Sequence, residues 1–176
     1  MFQRFYPDEC ADSAYVIDYK ALYKQGYRGL LFDIDNTLVA HGADADDRAT
    51  KLLNELKSMG FRICLISNNK EERVKRFNKN IGAKYVHKAN KPSTKSYIKA
   101  MKLMDTDTTN TVFIGDQLFT DVYGAKRAGL TSFFVKRIGP KEEIQIVLKR
   151  HLERIVLFFY RRHKRKALHA QKTGKK

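Results

Sequence analysis

Residues 29–42 read GLLFDIDNTLVAHG, an apolar run that ends in Asp33 and Asp35, one residue apart. Two carboxylates so close repel each other, so the strand end is either solvated or shared with a cation or a substrate. Further along, Ser67-Asn68-Asn69 follows the apolar stretch FRICLI, Lys91 stands in HKANKPS, and Asp116 and Asp121 stand in GDQLFTD. Together these residues offer four carboxylates, a hydroxyl beside backbone N–H groups, and an ammonium. Such a set suits phosphoryl transfer. Oxygen ligands from Asp33 and Asp116 can hold a divalent metal, which removes the cost of crowding the acids. The Ser67 hydroxyl and adjacent N–H groups can cradle a phosphoryl group while Lys91 neutralises its developing charge. In an unmetallated Asp33/Asp35 pair the two titrations perturb each other, so one member can carry a proton to a leaving group.

These residues reach one place only if the elements between them bring them there. Apolar runs GLLFDID, FRICLIS (61–67), KYVHK, TVFIGD and TSFFVK alternate with helical patterns. DDRATKLLNELKSMG carries Leu52, Leu53, Leu56 and Met59 on one face and closes at Gly60. KEERVKRFNKNIG, STKSYIKAMKLM and FTDVYGAKRAG are the other helical segments, with Ser93 as a candidate cap after Pro92. Strands separated in this way by helices predict an α/β fold, a mostly parallel sheet with helices on both faces. AYVID (14–18) ahead of it reads as a further strand or an extended lead-in. In open sheets of this kind ligands bind beyond the carboxyl ends of the strands, where every residue singled out above would lie.

FDIDNTL, ISNN, NKPS and GDQLFTD, in that order and each at a strand end, resemble the four motifs of the haloacid dehalogenase (HAD) superfamily of aspartyl-phosphate hydrolases. Within it the chain resembles the YqeG-type phosphatases of subfamily IIIA, over roughly residues 6–139. The resemblance implies a Rossmann-like core and phosphate-monoester hydrolysis with Mg²⁺. It implies that Asp33 is the nucleophile and that Asp35 is the general acid and then base, its backbone carbonyl on Mg²⁺. Ser67 and the N–H groups near Asn68 would hold phosphoryl oxygens, and Lys91 would balance charge. Asp116 would ligate Mg²⁺, and Asp121 would assist it or support it from behind. An acid at position 35 favours ester hydrolysis, because superfamily dehalogenases lack it. The cap domains of the superfamily are inserted between the first and second motifs or between the third and fourth. Here those intervals have room only for a helix and a strand, so no cap domain is expected. An uncovered site suits a phosphate on something large or on a surface, and a free metabolite stays open. A phosphoaccepting receiver domain shares Asp, Ser and Lys at strand ends, but its lysine comes last; here Lys91 precedes GDQLFTD. His41 and His87 are assigned no role.

At 176 residues the chain can form one domain with a real core. Its net charge is +16, and residues 149–176 alone hold 11 Lys and Arg against one acid, Glu153. The expected organisation is a core over 1–140 with an N-terminal lead-in, a C-terminal helix over 141–160, and a basic, flexible tail over 161–176. Apolar Ile144, Val147, Leu148, Leu152, Ile155, Val156 and Phe159 recur at helical spacing, which packs residues 144–156 on the sheet. LFFYRRHKRK beyond joins aromatics to bases, which suits an anionic bilayer; RNA, the ribosome, or plain solvation are the alternatives. Enzymes of the resembled group include phosphatidylglycerophosphate phosphatases, so an anionic lipid is one candidate substrate and a soluble or macromolecule-linked phosphate the other. Oligomeric state is not legible. Cys10 and Cys64 have no metal-ligand spacing, and no run has signal-peptide or membrane-span length. A cytoplasmic setting is therefore expected, with peripheral contact at the inner membrane face through the basic C-terminus.

Overall fold

The computed structural model describes residues 2–139 and 144–173, with side chains of the last helix described over 151–167. Six strands form one entirely parallel sheet: β1 (Glu9–Ala11), β2 (Gly29–Phe32), β3 (Arg62–Ile66), β4 (Lys84–Val86), β5 (Thr111–Gly115) and β6 (Thr131–Val135). Their spatial order is β1-β6-β5-β2-β3-β4. The chain builds outward from β2 through β3 to β4, then crosses back to β5 and β6. The strand order therefore reverses beside β2, and the ends of β2 and β5 flank the crevice where ligands bind in such sheets.

Side-chain alternation along the strands sends apolar residues to both faces. Leu30 and Phe32 point to one side, with Leu65, Val112 and Ile114, against α2 (Asp47–Ser58) and α3 (Glu71–Asn78). Leu31 points to the other, with Cys64, Ile66 and Phe113, against α4 (Thr94–Met104) and α5 (Tyr123–Arg127). Strands buried on both faces read as continuous apolar runs, which is why GLLF and RICLI show no polar alternation. A short helix α1 (Tyr19–Lys24) precedes β2, capped by Asp18, whose carboxylate accepts from Ala21 N at 2.9 Å. Asp46 caps α2 in the same way, at 2.7 Å from Ala49 N.

Only one helix and one strand separate the ends of β2 and β3, and likewise those of β4 and β5. No cap domain is present in either interval, as the spacing indicated.

Some expectations are corrected. Residues 14–16 form a 3₁₀ turn rather than a strand; the extra strand is β1, which pairs with β6 (Cys10↔Phe134). Ser93 precedes α4 but its side chain makes no capping hydrogen bond. The segment after β5 begins as a π turn over Leu118–Val122 before α5. The C-terminal helix α6 (Ile144–Thr173) passes the expected end at residue 160 and includes residues assigned to the tail. Its inward face is also rotated. Glu153, Val156 and Tyr160 are buried, whereas Leu152, Ile155 and Phe159 are exposed. Val156 joins Leu118, Val122 and the aromatic rings of Phe5, Tyr6 and Phe134 in a small cluster that seats α6 beside the sheet. The side chains of Ile144, Val147 and Leu148 lie outside the described residues. Among the described residues, no helix is long and apolar enough to cross a membrane.

Candidate active site

β2 delivers Asp33 directly. Its N–H continues the ladder to Ile114 O at 3.0 Å, so the carboxylate is fixed at the sheet's carboxyl edge. Lys91 arrives from the loop after β4 and Asp121 from the π turn after β5. The Lys91 ammonium sits 2.6 Å from Asp33 Oδ1 and 2.7 Å from Asp121 Oδ1, with all three side chains at most 8% exposed. The Thr37 hydroxyl lies 3.2 Å from Asp33 Oδ2 and 3.4 Å from Asp116 Oδ1, joining the ends of β2 and β5.

Carboxylate oxygens of Asp33, Asp116 and Asp121 lie within 4.8 Å of one another, and all three residues are buried. Three buried carboxylates crowd around the Lys91 ammonium. The cost falls on Asp33: burial, helped by Asp121 and Asp35, pushes its pKa up to about 7 even though Lys91 pulls the other way. Burial also works against the Lys91 charge, but Asp121 and Asp33 outweigh it and hold Lys91 protonated well above the ordinary lysine range. By charge and by donor type, this all-oxygen cluster fits a hard divalent cation. Asp121 has both oxygens engaged, Oδ1 on Lys91 and Oδ2 accepting from Gln117 N at 3.1 Å, so it fixes the lysine and its own loop. Gly115 makes room for it: a Cβ there would stand 2.6 Å from Asp121 Oδ2. Behind the loop, the Tyr97 hydroxyl donates to the carbonyls of Thr120 and Asp121.

Asp35 has a separate set of partners. Its Oδ1 accepts from Gly42 N at 2.7 Å and from Arg73 at 3.0 Å, and its Oδ2 accepts from the Asn69 carboxamide at 2.5 Å. The Arg73–Asp35 pair is largely buried, with side chains 12% and 13% exposed. The like charges that looked anomalous in the sequence are thus each held by its own cation, Asp33 by Lys91 and Asp35 by Arg73. Ser67 is buried at the end of β3, where its backbone bonds to Val86 O and Ala89 N, and its hydroxyl accepts from Asn69 N. Asn68 is exposed, and its side-chain oxygen accepts from Lys91 N at 2.7 Å, tying the end of β3 to the lysine loop.

All seven residues singled out in the sequence therefore lie along one sheet edge. Thr37, Asn69, Arg73 and Glu153 were not singled out. Thr37 and Asn69 sit inside the quoted motifs, and their type and position could have found them. Glu153 is the one acid among the bases of α6; its carboxylate accepts from Leu118 N at 2.7 Å and so steadies the loop that carries Asp121. Arg73 is one cation among many, with no signal of its own.

A model of haloacid dehalogenase-like hydrolases matches residues 40–129. The probable phosphatase YqeG of Bacillus subtilis (strain 168) is 33% identical over 159 residues, 89% of this chain and 92% of that protein. The chain belongs to the haloacid dehalogenase-like hydrolases. This HAD-type phosphatase is also 26% identical to the phosphatidylglycerophosphate phosphatase 1, chloroplastic/mitochondrial, of Arabidopsis thaliana, over 86% of this chain and 46% of that protein. Its fold matches the cobalt-bound deoxy-D-mannose-octulosonate 8-phosphate phosphatase of Haemophilus influenzae, with a TM-score of 0.52 and 14% identity. That match covers 63% of this chain and 69% of the other. The matched family segment begins after Asp33 and Asp35, so the placement of those two residues rests on the geometry above.

Proposed function

We infer that this HAD-type phosphatase hydrolyses a phosphate monoester through a phospho-aspartate on Asp33. The observation that carries the reading is the convergence of Asp33, Lys91 and Asp116 at the switch point of the sheet, with Ser67 at the adjoining strand end. Asp33 attacks phosphorus and the bond to the ester oxygen breaks, with Asp35 donating a proton to the departing alkoxide. Asp35 then takes a proton from water as that water attacks the phosphorus of the phospho-aspartate, releasing inorganic phosphate and restoring Asp33. Lys91, the Ser67 hydroxyl and the N–H groups near Asn68 hold the phosphoryl oxygens, and Asn68 fixes the lysine loop. Arg73, Asn69 and Gly42 N orient Asp35. Asp33, Asp116 and the backbone carbonyl of Asp35 would hold Mg²⁺, supported by Asp121, and the ion would neutralise the acids and polarise the phosphoryl group.

The substrate class we favour is an anionic lipid head group, phosphatidylglycerophosphate, taken at the inner membrane surface. The site has no cap, so a head group standing on a bilayer can reach it. α6 exposes Leu152, Ile155, Phe158 and Phe159, and carries Arg161, Arg162, Lys164, Arg165 and Lys166 just beyond. That combination of apolar and basic surface suits an anionic interface. The Arabidopsis relative is named for the same lipid. The test is phosphate release with Mg²⁺ from phosphatidylglycerophosphate in mixed micelles beside a panel of soluble phosphate monoesters. The expected result is a higher kcat/KM on the lipid; much faster turnover of a soluble phosphate would assign the enzyme to a soluble substrate.

A further inference from the structure

α6 is seated beside the sheet by Glu153 and Val156, and between it and the edge strand β1 lies a cavity of ≈ 370 Å³. β1 lines this space with the small side chains of Cys10 and Ala11, which leaves room there. Its other walls are the rings of Phe134 and Tyr160 and the side chain of Leu157. Phe134 and Leu157 pack with Val156 yet are only half-buried, so each still presents apolar surface to solvent. The lysines on the rim are answered within the protein: Lys136 pairs with Asp12 at 2.6 Å and Lys164 with Glu9 at 3.5 Å. What the cavity offers a ligand is therefore chiefly apolar contact.

The cavity is joined to the catalytic edge. A smaller cleft of ≈ 220 Å³ lies beside Asp116, and the two share Phe134, Lys136, Leu157 and Arg161 as walls. Strand register gives the span: Gly115, the residue before Asp116, stands opposite Phe134, which stands opposite Cys10. Two strand spacings of about 4.8 Å put the cavity about 10 Å from the end of β5. We propose that this cavity receives a hydrocarbon limb of the substrate whose phosphate is hydrolysed at Asp33, reached through the cleft beside Asp116. The proposal rests on the phosphatase reading above and deepens it, because it adds a recognition element for the alcohol to those for the phosphate. Hydrocarbon is the class that fits the walls, since each methylene moved from water onto apolar surface gains up to about fourfold in affinity. A further phosphate or a carboxylate would instead have to displace Asp12 or Glu9 from the rim lysines. A separate fatty chain would satisfy the same walls, but the connection to the cleft beside Asp116 favours a limb tethered to the reacting phosphate.

The experiment measures steady-state hydrolysis of butyl phosphate and octyl phosphate, each below its aggregation threshold, by the full chain with Mg²⁺. A span of about 10 Å is within reach of the octyl chain and beyond the butyl one. Full burial of the four further methylenes would lower KM about 200-fold, and a trench open to solvent along one side should give about tenfold or more. Two variants probe the walls. Cys10→Trp fills the cavity from β1, and Leu157→Gln makes a shared wall polar. Each should cut the octyl advantage by about fivefold or more and change butyl phosphate kcat/KM by less than about twofold. If Leu157→Gln does not fold, Cys10→Trp, on the exposed edge strand, decides alone. No octyl advantage in the native protein, or one that survives Cys10→Trp, overturns the proposal. Free octanol should compete with octyl phosphate and leave butyl phosphate turnover unchanged; stimulation of butyl phosphate turnover would make the cavity an effector site and equally overturn it. Calorimetric binding of butylphosphonate and octylphosphonate, which are not hydrolysed, separates the failures. If the phosphatase reading is wrong, no monoester is hydrolysed while the octyl preference in binding stays; if the cavity reading is wrong, hydrolysis stays and that preference is absent.

Discussion

Replacing Lys91 by Met removes the ammonium that bridges Asp33 and Asp121 and keeps most of its volume. At an effective dielectric of about 20, contacts of 2.6 and 2.7 Å are worth roughly 6 kcal/mol each in gross terms. Desolvation of the three ions cancels most of this, and breaking such buried pairs typically costs about 3–5 kcal/mol net. For a chain of this length that is a fall in Tm of about 6–20 °C in EDTA. The cost depends on pH in a defined direction. The folded-state pKa of Asp33, about 7, lies above its unfolded value of 3.8, so the folded protein binds the extra proton. Its contribution is therefore fully present at low pH and is lost as pH rises through about 7. Without Lys91 that pKa rises further, and the loss continues to higher pH. The gap between variant and native protein should thus widen from about pH 6 to about pH 8.5. Mg²⁺ should narrow it, because the ion supplies charge to the same acids and binds the folded state alone. Thermal unfolding followed by circular dichroism, with EDTA and with Mg²⁺, measures all of this. A variant within about 2 °C of the native protein in EDTA at the higher pH, or a Mg²⁺ shift larger in the native protein, would refute the reasoning.

Three further outcomes follow from the same geometry. Arg73→Ala frees Asp35 from its buried partner, so kcat should fall about 10–100-fold on an alkyl phosphate, whose leaving group needs the proton, and much less on p-nitrophenyl phosphate; equal losses would mean that Arg73 serves only the fold. Glu153→Ala leaves Leu118 N without its charged acceptor and should cost about 1.5–3 kcal/mol in urea denaturation, with Glu153→Gln recovering part of it. Gly115→Ala drives a methyl into Asp121 Oδ2, so Mg²⁺ activation should need a higher concentration of the ion, read from a titration of activity against Mg²⁺.

The parallel sheet was legible because strands buried on both faces leave unbroken apolar runs, as in GLLF and TVFIG, each followed by a helix with one apolar stripe. The acids, Ser67 and Lys91 were legible because they stand at the ends of those runs, where topology alone gathers them. The second ring of contacts was not. Arg73 reaches Asp35 through the packing of α3, and nothing in KEERVKRFNKNIG separates it from its basic neighbours. β1 was missed because ECA is short and mostly exposed at the sheet edge, so it has no apolar signature, whereas AYVID has one and turns instead. The inward face of α6 was misread because apolar spacing ran through both its faces. A buried hydrogen bond from Leu118 N to Glu153 decides the rotation, and a carboxylate is the residue least expected to face inward.

The central claim is that Asp33 becomes phosphorylated. Protein turning over a phosphate monoester with Mg²⁺ can be quenched and treated with borohydride, which reduces an aspartyl phosphate to homoserine. Peptide mass spectrometry should then find homoserine at residue 33, dependent on substrate and Mg²⁺ and absent from Asp33→Asn, whose phosphate release should fall at least about 10³-fold. Homoserine at another aspartate, or full phosphate release by Asp33→Asn, would contradict the account.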